Sequence, residues 1–532
     1  MTLSRCFVRV VVGLPVLFFF GSLELPAADS EREVVRKIDQ LLAESWRKAE
    51  LKPAPLASDS VFLRRVYLDL TGTIPTVSQV REFLRDQHPE KRARLIDRLL
   101  GLPAKTNSST RTGNPRHAAH LARVWRTVLL PNINNNLRLR GQANFFEQWL
   151  RANFADNTPY NQMVHELLTT TGRTTGTGPG LYYQSLELKP EKLAASVSQV
   201  FLGVQIQCAQ CHDHPFDHWK QKDFWEFAAF FAQLQRPQGR NRFVGRVVDL
   251  AKGEVTLPDS KTVVSPRFLG GSPVSSKNGQ TRRQQLARWL TAADNPYFAR
   301  ATVNRVWGML FGYGLVDPVD DFAKRNPPSH PEILDLLARD FARNNFNLRR
   351  LFRILTRTNA YQLSSEVVAS RNTEPHLFQR MAVKTLTAEQ IYDCLKIATC
   401  TLDAPATQSR FPQNNLARQT FLAKFEAPTQ SPTEFQSGIP QALTMMNGQL
   451  LASMTDVNQS DILQAVSESP FFSDEDRVEI LFLATLARRP TSSERSQFLD
   501  YVKTGGPAKD SRKALSDVLW ALLNSTEFIL NH

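Results

Sequence analysis

Apolar residues recur at three- and four-residue intervals through most of this 532-residue chain. Near the N-terminus, for example, three- and four-residue spacing separates the apolar residues Val34, Ile38, Leu41, Leu42 and Trp46, as in an amphipathic helix. The same period returns in segments separated by Pro, Gly and Asn, the residues that usually begin or end helices. This pattern constrains the fold more than any other feature and predicts a mainly α-helical protein.

The helices predicted before residue 236 cover residues 30–49, 58–70, 76–84, 90–100, 117–130, 143–154, 160–170, 190–202 and 223–234. Those predicted after residue 278 cover 282–292, 297–311, 331–344, 348–358, 388–398, 439–453, 477–487 and 514–529. Loops are expected at 103–115, 132–136, 172–180, 326–328 and 404–432. The Gly-rich loop 172–180 follows no predicted strand, so it does not indicate a phosphate-binding turn.

The segment between the two sets of helices has a different character. β-branched residues cluster at 243–248 and 255–257 around Lys252-Gly253, a pattern that predicts a short β-hairpin. A chain of this length exceeds one ordinary core. We therefore expect two helical domains, residues 30–235 and 279–532, joined by a linker over residues 236–278.

The N-terminus predicts export. Arg5 and Arg9 are followed by a short apolar run from Val10 to Phe20, and Ala27-Ala28 offers small residues for cleavage. This is the arrangement of a secretory signal peptide, assigned to residues 1–28, and the run is too short to span a bilayer. No second segment is apolar enough to cross a membrane. The mature protein is expected in the periplasm or outside the cell, within the cell envelope.

The formal net charge of +14 would favour acidic partners. Because the basic residues are interspersed with acidic ones, and no nucleic-acid-binding motif is present, the charge indicates a solvated basic surface and no nucleic-acid partner. Acidic polysaccharide of the envelope is the alternative partner that this charge suits.

The densest group of reactive side chains lies between Gln207 and Trp219 and contains the sequence Cys208-Ala209-Gln210-Cys211-His212. The pattern Cys-x-x-Cys-His is the attachment signature of c-type haem. Cys208 and Cys211 would form thioethers with the two haem vinyl groups, and His212 would be the proximal iron ligand. Candidates for a sixth ligand are Met163, His165, His120 and His218, whereas His214 lies too close to His212 in sequence.

Two other interpretations of this segment stay open. Cys208, Cys211, His214 and His218 have ligand types suited to tetrahedral zinc, or to iron, with His212 as a further donor. Alternatively, Cys208 and Cys211 form a local disulfide or remain free thiols, and no cofactor is bound. Haem also requires apolar walls, and the residues after His212 are largely polar.

Other chemistry-bearing residues have simpler explanations. Asp317, Asp320 and Asp321, near Asn304 and Arg305, suit helix capping and ion pairing better than an acidic catalytic pocket. His330 precedes Pro331 at a helix start, which predicts a capping or first-turn role. Cys394 and Cys400 near a helix end are either a pair or free thiols.

Several long motifs resemble known families. Residues 62–76 (FLRRVYLDLTGTIPT) and 204–231 around the Cys-x-x-Cys-His are similar to the planctomycete PSCyt domain of the second type. Residues 286–291, 295–307, 314–322 and 519–528 resemble its usual partner, the PSD domain of the first type. Both are domains of unknown function. The resemblance implies export, two helical domains and a cytochrome-like Cys-x-x-Cys-His domain, although the separate haem module of many relatives is missing here.

Three functions are consistent with these observations. The leading hypothesis is an exported envelope protein with a c-type haem or redox site at Cys208, Cys211 and His212, acting with a redox partner. The second is a non-catalytic binding or structural protein, in which the Cys/His site only stabilises the fold. The third is a metal-dependent hydrolase of extracellular polymers.

Overall fold

The structure, a computed structural model, describes residues 30–102, 113–131, 133, 137–176, 178–235, 245–274, 279–366, 374–401, 416–425, 445–446 and 448–532. It is mainly α-helical, as the periodicity predicts. The predicted signal peptide lies outside the described residues. Among the described residues, no helix combines the length and the apolar character needed to cross a membrane.

The first part of the chain contains eleven described α-helices. They are α1 (Glu31–Lys48), α2 (Asp59–Thr71), α3 (Val77–Arg85), α4 (Lys91–Leu100), α5 (Pro115–Leu129), α6 (Leu137–Arg140), α7 (Ala143–Ala155), α8 (Tyr160–Thr169), α9 (Gly180–Ser185), α10 (Pro190–Val197) and α11 (Gln221–Ala228). A π-helical turn, Ser198–Leu202, continues α10, and 3₁₀ turns occupy Gln207–Gln210 and Ala229–Phe231.

The second part contains thirteen described α-helices. They are α12 (Arg282–Leu290), α13 (Phe298–Phe311), α14 (Pro331–Arg343), α15 (Leu348–Arg357), α16 (Asn359–Gln362), α17 (Ala388–Ala398), α18 (Leu416–Phe425), α19 (Gln449–Thr455), α20 (Asp461–Glu468), α21 (Asp474–Leu486), α22 (Ser492–Thr504), α23 (Ser511–Leu523) and α24 (Thr526–Ile529). A 3₁₀ turn occupies Pro375–Leu377.

Capping residues explain where many of these helices begin and end. Thr76 and Gln79 form a capping box at the start of α3, in which the backbone amide of each residue donates to the side chain of the other. Gly72 ends α2 with a φ of +71°, a conformation that glycine adopts without steric cost. The periodicity therefore located most helices to within a few residues.

The loop predicted over 404–432 is wrong in part, because α18 lies within it. The short helices α6, α9 and α16, together with α20 and α22, were also not predicted. Four to six residues are too few for a helical period to be visible in sequence. The predicted helix 439–453 begins outside the described residues, and α19 forms only its C-terminal part.

Three two-stranded antiparallel sheets are present among the described residues: β1 (Gly172–Arg173) with β2 (Arg246–Val247), β3 (Val255–Thr256) with β4 (Val263–Val264), and β5 (Lys384–Thr385) with β6 (Leu530–Asn531). The linker does contain a hairpin, but its strands are β3 and β4, in which Val255 pairs with Val264. The turn at Lys252-Gly253 is therefore not the hairpin turn, because β2 pairs with β1 instead.

Helix α2 is buried on every side, since each residue from Phe62 to Thr71 is buried. Its apolar side chains reach two hydrophobic cores: Leu63, Val66 and Leu70 join the first, and Leu68 joins the second. The motif FLRRVYLDLT is thus the centre of the fold. Its position between the two cores explains why most of the motif is apolar. The charged residues in it are two arginines and one aspartate.

The two hydrophobic cores do not coincide with the two predicted domains. The first core takes residues mainly from α1 through α16, with Phe378, Met381, Leu483 and Ala487, and so includes side chains on both sides of the linker. The second core is formed mainly by residues 386–528, together with Leu68 and Ile74. Packing therefore continues across residues 236–278, whose assignment as a linker stays a prediction.

Candidate functional site

Cys208 and Cys211 lie on one short turn at the protein surface. The 3₁₀ turn Gln207–Gln210 carries Cys208, and Cys211 follows it directly. Both cysteines are exposed free thiols. Between them, Ala209 is fully buried and belongs to the first core. The buried alanine fixes the turn to the protein, and the two sulfur atoms are left accessible from solvent.

Helix α11 holds this turn in place. The indole Nε1 of Trp225 donates to the carbonyl oxygen of Gln210 at 3.0 Å, and the Gln221 side chain donates to the carbonyl of Cys211 at 2.7 Å. The Asp213 carboxylate accepts hydrogen bonds from the backbone amide of Gln221 at 3.0 Å and from Lys220 Nζ at 3.0 Å. These two bonds lower the pKa of Asp213. The segment is thus an ordered surface turn.

The His212 ring is oriented by a single hydrogen bond. Its Nδ1 lies 2.7 Å from the carbonyl oxygen of Asp213, and the residue is exposed. Since a carbonyl oxygen only accepts, Nδ1 must carry the proton. In the neutral ring Nε2 then keeps its lone pair and is free to coordinate a metal, which is how ligating histidines are usually held.

His214 and His218 are held differently. The Nδ1 of His214 accepts from the Phe216 amide at 3.2 Å, so in the neutral ring Nε2 carries the proton and has no lone pair for a metal. The Nδ1 of His218 lies 2.7 Å from the Asp217 carboxylate. Burial would raise the pKa of Asp217, but the hydrogen bonds from the His218 amide and ring outweigh it and lower that pKa.

The four residues predicted for a zinc site are not gathered into a metal-binding group, so the zinc interpretation stays a prediction. Across the residues that the structure describes, no group of three or more His, Cys, Asp or Glu side chains could hold a metal ion. This finding applies to Cys208, Cys211 and His212 in the same way as to the zinc set. The Nδ1 of His214 is also already occupied, because it accepts a hydrogen bond from the Phe216 backbone amide.

Two of the candidate sixth ligands lie inside the protein. Met163 belongs to the first core, and the buried His120 packs against Gly72 at the end of α2. His165 is exposed on α8, and His218 is half exposed beside the motif. The side chain of His218 is thus the candidate nearest in sequence that also faces solvent.

The approach to the motif is anchored by the second predicted domain. The Asp320 carboxylate accepts hydrogen bonds from Gln199 at 2.7 Å and from Gln205 at 3.0 Å. The Phe322 amide donates to the Gly203 carbonyl at 2.8 Å. A Cβ atom on Gly203 would lie 2.6 Å from the Phe322 ring, so only glycine permits this approach.

The remaining acidic candidates have structural roles. Asp321 forms an ion pair with Arg325 at 3.1 Å, and Asp317 accepts from the Gly314 amide at 3.3 Å. Asn304 is buried and bonds the backbone of Val316 through both its amide atoms. The prediction of structural roles for this cluster fits these contacts better than a catalytic pocket.

His330 and the distal cysteines are also accounted for. His330 occupies the N-cap position of α14, as predicted, but its side chain makes no cap bond and instead contacts Ser45 and Ser329. Cys394 and Cys400 are both free thiols, of which Cys394 is buried and Cys400 exposed. Burial raises the pKa of the Cys394 thiol to about 12.

Sequence reasoning missed a buried polar network on α2. Asp69 accepts hydrogen bonds from Lys384 Nζ at 2.7 Å, the Tyr361 hydroxyl at 2.8 Å and Asn531 Nδ2 at 2.7 Å. Its partners lie about 300 to 460 positions away in sequence, so no local pattern could have revealed them. The only signal was the presence of charged residues in an otherwise apolar helix.

Two family models match the chain. PSCyt2, a protein of unknown function (DUF1549), matches residues 37–236, and PSD1, a protein of unknown function (DUF1553), matches residues 282–426. The chain is thus a mainly α-helical protein that contains one domain from each of two families of unknown function. It carries the PSCyt2 domain first and the PSD1 domain second. Neither the curated proteins nor the solved structures contain a match.

Proposed function

We propose that this chain is an exported cell-envelope redox protein that attaches c-type haem at Cys208, Cys211 and His212. The observation that carries the proposal is the hydrogen bond from His212 Nδ1 to the Asp213 carbonyl, at 2.7 Å. That bond leaves Nε2 available as a proximal iron ligand. Export rests on the signal-peptide pattern of residues 1–28 and places the protein where c-type haem is attached.

The residues present fit the attachment chemistry. Both thiols are free and exposed. In thioether formation the S–H bond adds across a vinyl double bond, so that sulfur bonds one carbon and hydrogen goes to the other, and no oxidant is consumed. When bound, the haem would supply one-electron transfer. Cys208 and Cys211 would hold it covalently, and His212 would orient it.

The surroundings define what kind of haem site this would be. Phe216 is 72% exposed, and Arg325 lies over its ring at 5.3 Å. The neighbouring Asp213, His214 and Lys220 are polar. The apolar enclosure of a buried cytochrome is therefore not formed by this segment, and the proposed site is solvent-exposed, as suits electron exchange with a redox partner.

The test is covalent haem content. The protein should be exported from cells that also produce the cytochrome c maturation machinery, then denatured, separated and stained for haem. We expect a stained band and a pyridine haemochrome spectrum of the thioether type. Cys211→Ser and Cys208→Ser should each lose most of the covalent haem, and His212→Gln should lower it further than His218→Gln does.

Cys400→Ser is the matched control, because Cys400 is another exposed free thiol outside the motif. It should stain as the native protein does. Native protein without covalent haem under these conditions would refute the proposal, and so would staining that survives the Cys208→Ser/Cys211→Ser double substitution. Titration of two reactive thiols in the haem-free Cys400→Ser protein would then support the interpretation of Cys208 and Cys211 as free thiols.

A further inference from the structure

A cleft between α4, α5 and α7 lies apart from the Cys-x-x-Cys-His turn. Its volume is about 560 Å³, which is within the range of small-molecule sites. The described residues that line it are Arg98, Gly101, Gly113, Asn114, Pro115, Ala118, Arg151 and Ala155. None of these described lining residues is acidic.

Small residues keep this cleft open. Gly101, Gly113, Ala118 and Ala155 form much of its surface. Gly113 also packs directly on the guanidinium of Arg349, since a Cβ atom there would lie 1.9 Å from Nη2. The charged side chains of the described lining are the two arginines, Arg98 on α4 and Arg151 on α7.

Arg349 brings a third positive charge beneath the floor. It is only 7% exposed, and its Nη2 donates to the carbonyls of Phe154 at 2.9 Å and Ala155 at 2.6 Å. Its Nε is buried without a hydrogen-bond partner among the described residues. Gly113 and Ala155 thus form the part of the cleft surface that lies over a buried guanidinium.

The N-terminus of α5 adds to the positive potential. Asn114 caps this 15-residue helix by accepting from the Arg116 amide at 3.0 Å, and Pro115 occupies its first turn. The positive end of the helix dipole therefore opens on the cleft. Three carboxylates lie nearby but not in the described lining, and one of them, Glu82, pairs with Arg98. Asp97 is bound by Arg353 and Arg357, while Asp156 follows Ala155 directly in sequence.

Arg98 is available to a ligand at little cost. Its side chain forms an ion pair with Glu82 at 2.7 Å, and both side chains are at least half exposed. Such surface pairs contribute little to stability, so a ligand oxyanion competes with Glu82 readily. A guanidinium presents several donors in one plane and binds sulfate, phosphate or carboxylate oxygens two at a time.

We propose that this cleft is a binding site for an oxyanion carried by a ligand of about the size of a sugar. Arg98 and Arg151 would contact the anionic group, and the small residues of the floor would accommodate the remainder. The inference is independent of haem attachment, since the cleft shares no residue with the Cys-x-x-Cys-His turn.

Calorimetric titration of the full mature protein tests the proposal. The probes are glucose 6-sulfate, glucose 6-phosphate, glucuronate, uncharged glucose, inorganic sulfate and inorganic phosphate, all at one ionic strength. We expect at least one of the three anionic sugars to bind and glucose not to bind. Binding by inorganic sulfate or phosphate as tightly as by the sugar esters would identify a free anion as the ligand.

Substitution then locates the binding. Arg98→Gln/Arg151→Gln should weaken binding by at least about tenfold. Arg94→Gln is the matched control, because Arg94 is an exposed arginine of the same helix that does not line the cleft. Absence of binding to every anionic probe would overturn the proposal. So would equal binding of glucose, or equal affinities for the double variant and Arg94→Gln in protein shown by circular dichroism to be folded.

Discussion

At the scale of single residues, the ion pair of Lys384 with Asp69 is notable because both of its charges are removed from water. Both side chains are only 6% exposed. Lys384 Nζ also donates to the carbonyls of Met309 at 3.1 Å and Leu310 at 2.7 Å, so all three of its donors are satisfied. Burial lowers the pKa of Lys384, and the attraction of Asp69 opposes that effect.

Removing the cation should destabilise the protein strongly. Lys384→Met keeps the length of the side chain but leaves the Asp69 carboxylate buried without its counter-charge. We expect the free energy of unfolding to fall by ~3–5 kcal/mol, measured as a lower urea midpoint by circular dichroism. Arg495→Met, which breaks an exposed pair with Glu475, should leave the midpoint nearly unchanged. Equal effects of the two substitutions would contradict this account.

Single residues also show the limits of sequence reasoning. Cys208, Cys211 and His212 were singled out because they form a short motif within five consecutive residues. The Arg64 and Arg65 roles were not, since an arginine in a helix usually faces water. Here Arg64 donates to the carbonyls of Thr485 and Phe528, and those partners become neighbours only after folding.

At the scale of elements, the π-helical turn Ser198–Leu202 prepares the entry into the Cys-x-x-Cys-His turn. Such turns often occur at functional sites. Its Val200 carbonyl accepts from Arg305, and the glutamines on either side of Gly203 are held by Asp320. Residues of the PSD1 region thus hold the segment that leads into the Cys-x-x-Cys-His turn of the PSCyt2 region.

Asp320→Ala should loosen this segment. A hydrogen bond to a charged acceptor contributes ~1.5 kcal/mol or more, so we expect roughly tenfold faster amide exchange over residues 203–211. The rates at which iodoacetamide alkylates Cys208 and Cys211 should also differ from those in the native protein, with the rate at Cys400 as an internal reference. Asp321→Ala is the control, since Asp321 pairs with Arg325. Identical exchange in the two variants would show that Asp320 does not position the turn.

At the scale of the whole molecule, two buried histidines make the fold sensitive to acid. His117 Nδ1 bonds the Leu70 carbonyl at 2.7 Å, and His120 bonds the backbone of Asp69. Burial lowers the pKa of His117 to about 4 and that of His120 to about 3. Both rings therefore stay neutral in the folded protein at pH values where they are protonated in the unfolded chain.

The sign of the pH dependence follows. Below the unfolded pKa of about 6.5, the unfolded chain binds more protons than the folded one, so stability falls as the pH drops from about 6.5 towards 4. His117→Asn keeps a side-chain N–H near the position of Nδ1 and removes the titration. Its urea midpoint should depend less on pH across this range than that of the native protein. Parallel curves for the two proteins would refute this explanation.

The fold as a whole was predicted only in part. Helical periodicity located most helices because an amphipathic face is a local property. It did not reveal that buried residues of both family regions share one core, because contacts between residues hundreds of positions apart leave no periodic trace. The pairing of β1 with β2 was missed for the same reason, since it joins residue 173 to residue 246.

The shared core has a consequence for heredity. A gene split between the two regions would yield two polypeptides. Each would expose the apolar side chains that it now packs against the other, and both would be open to proteolysis. The two regions of this chain are therefore expected to be inherited together in a single reading frame.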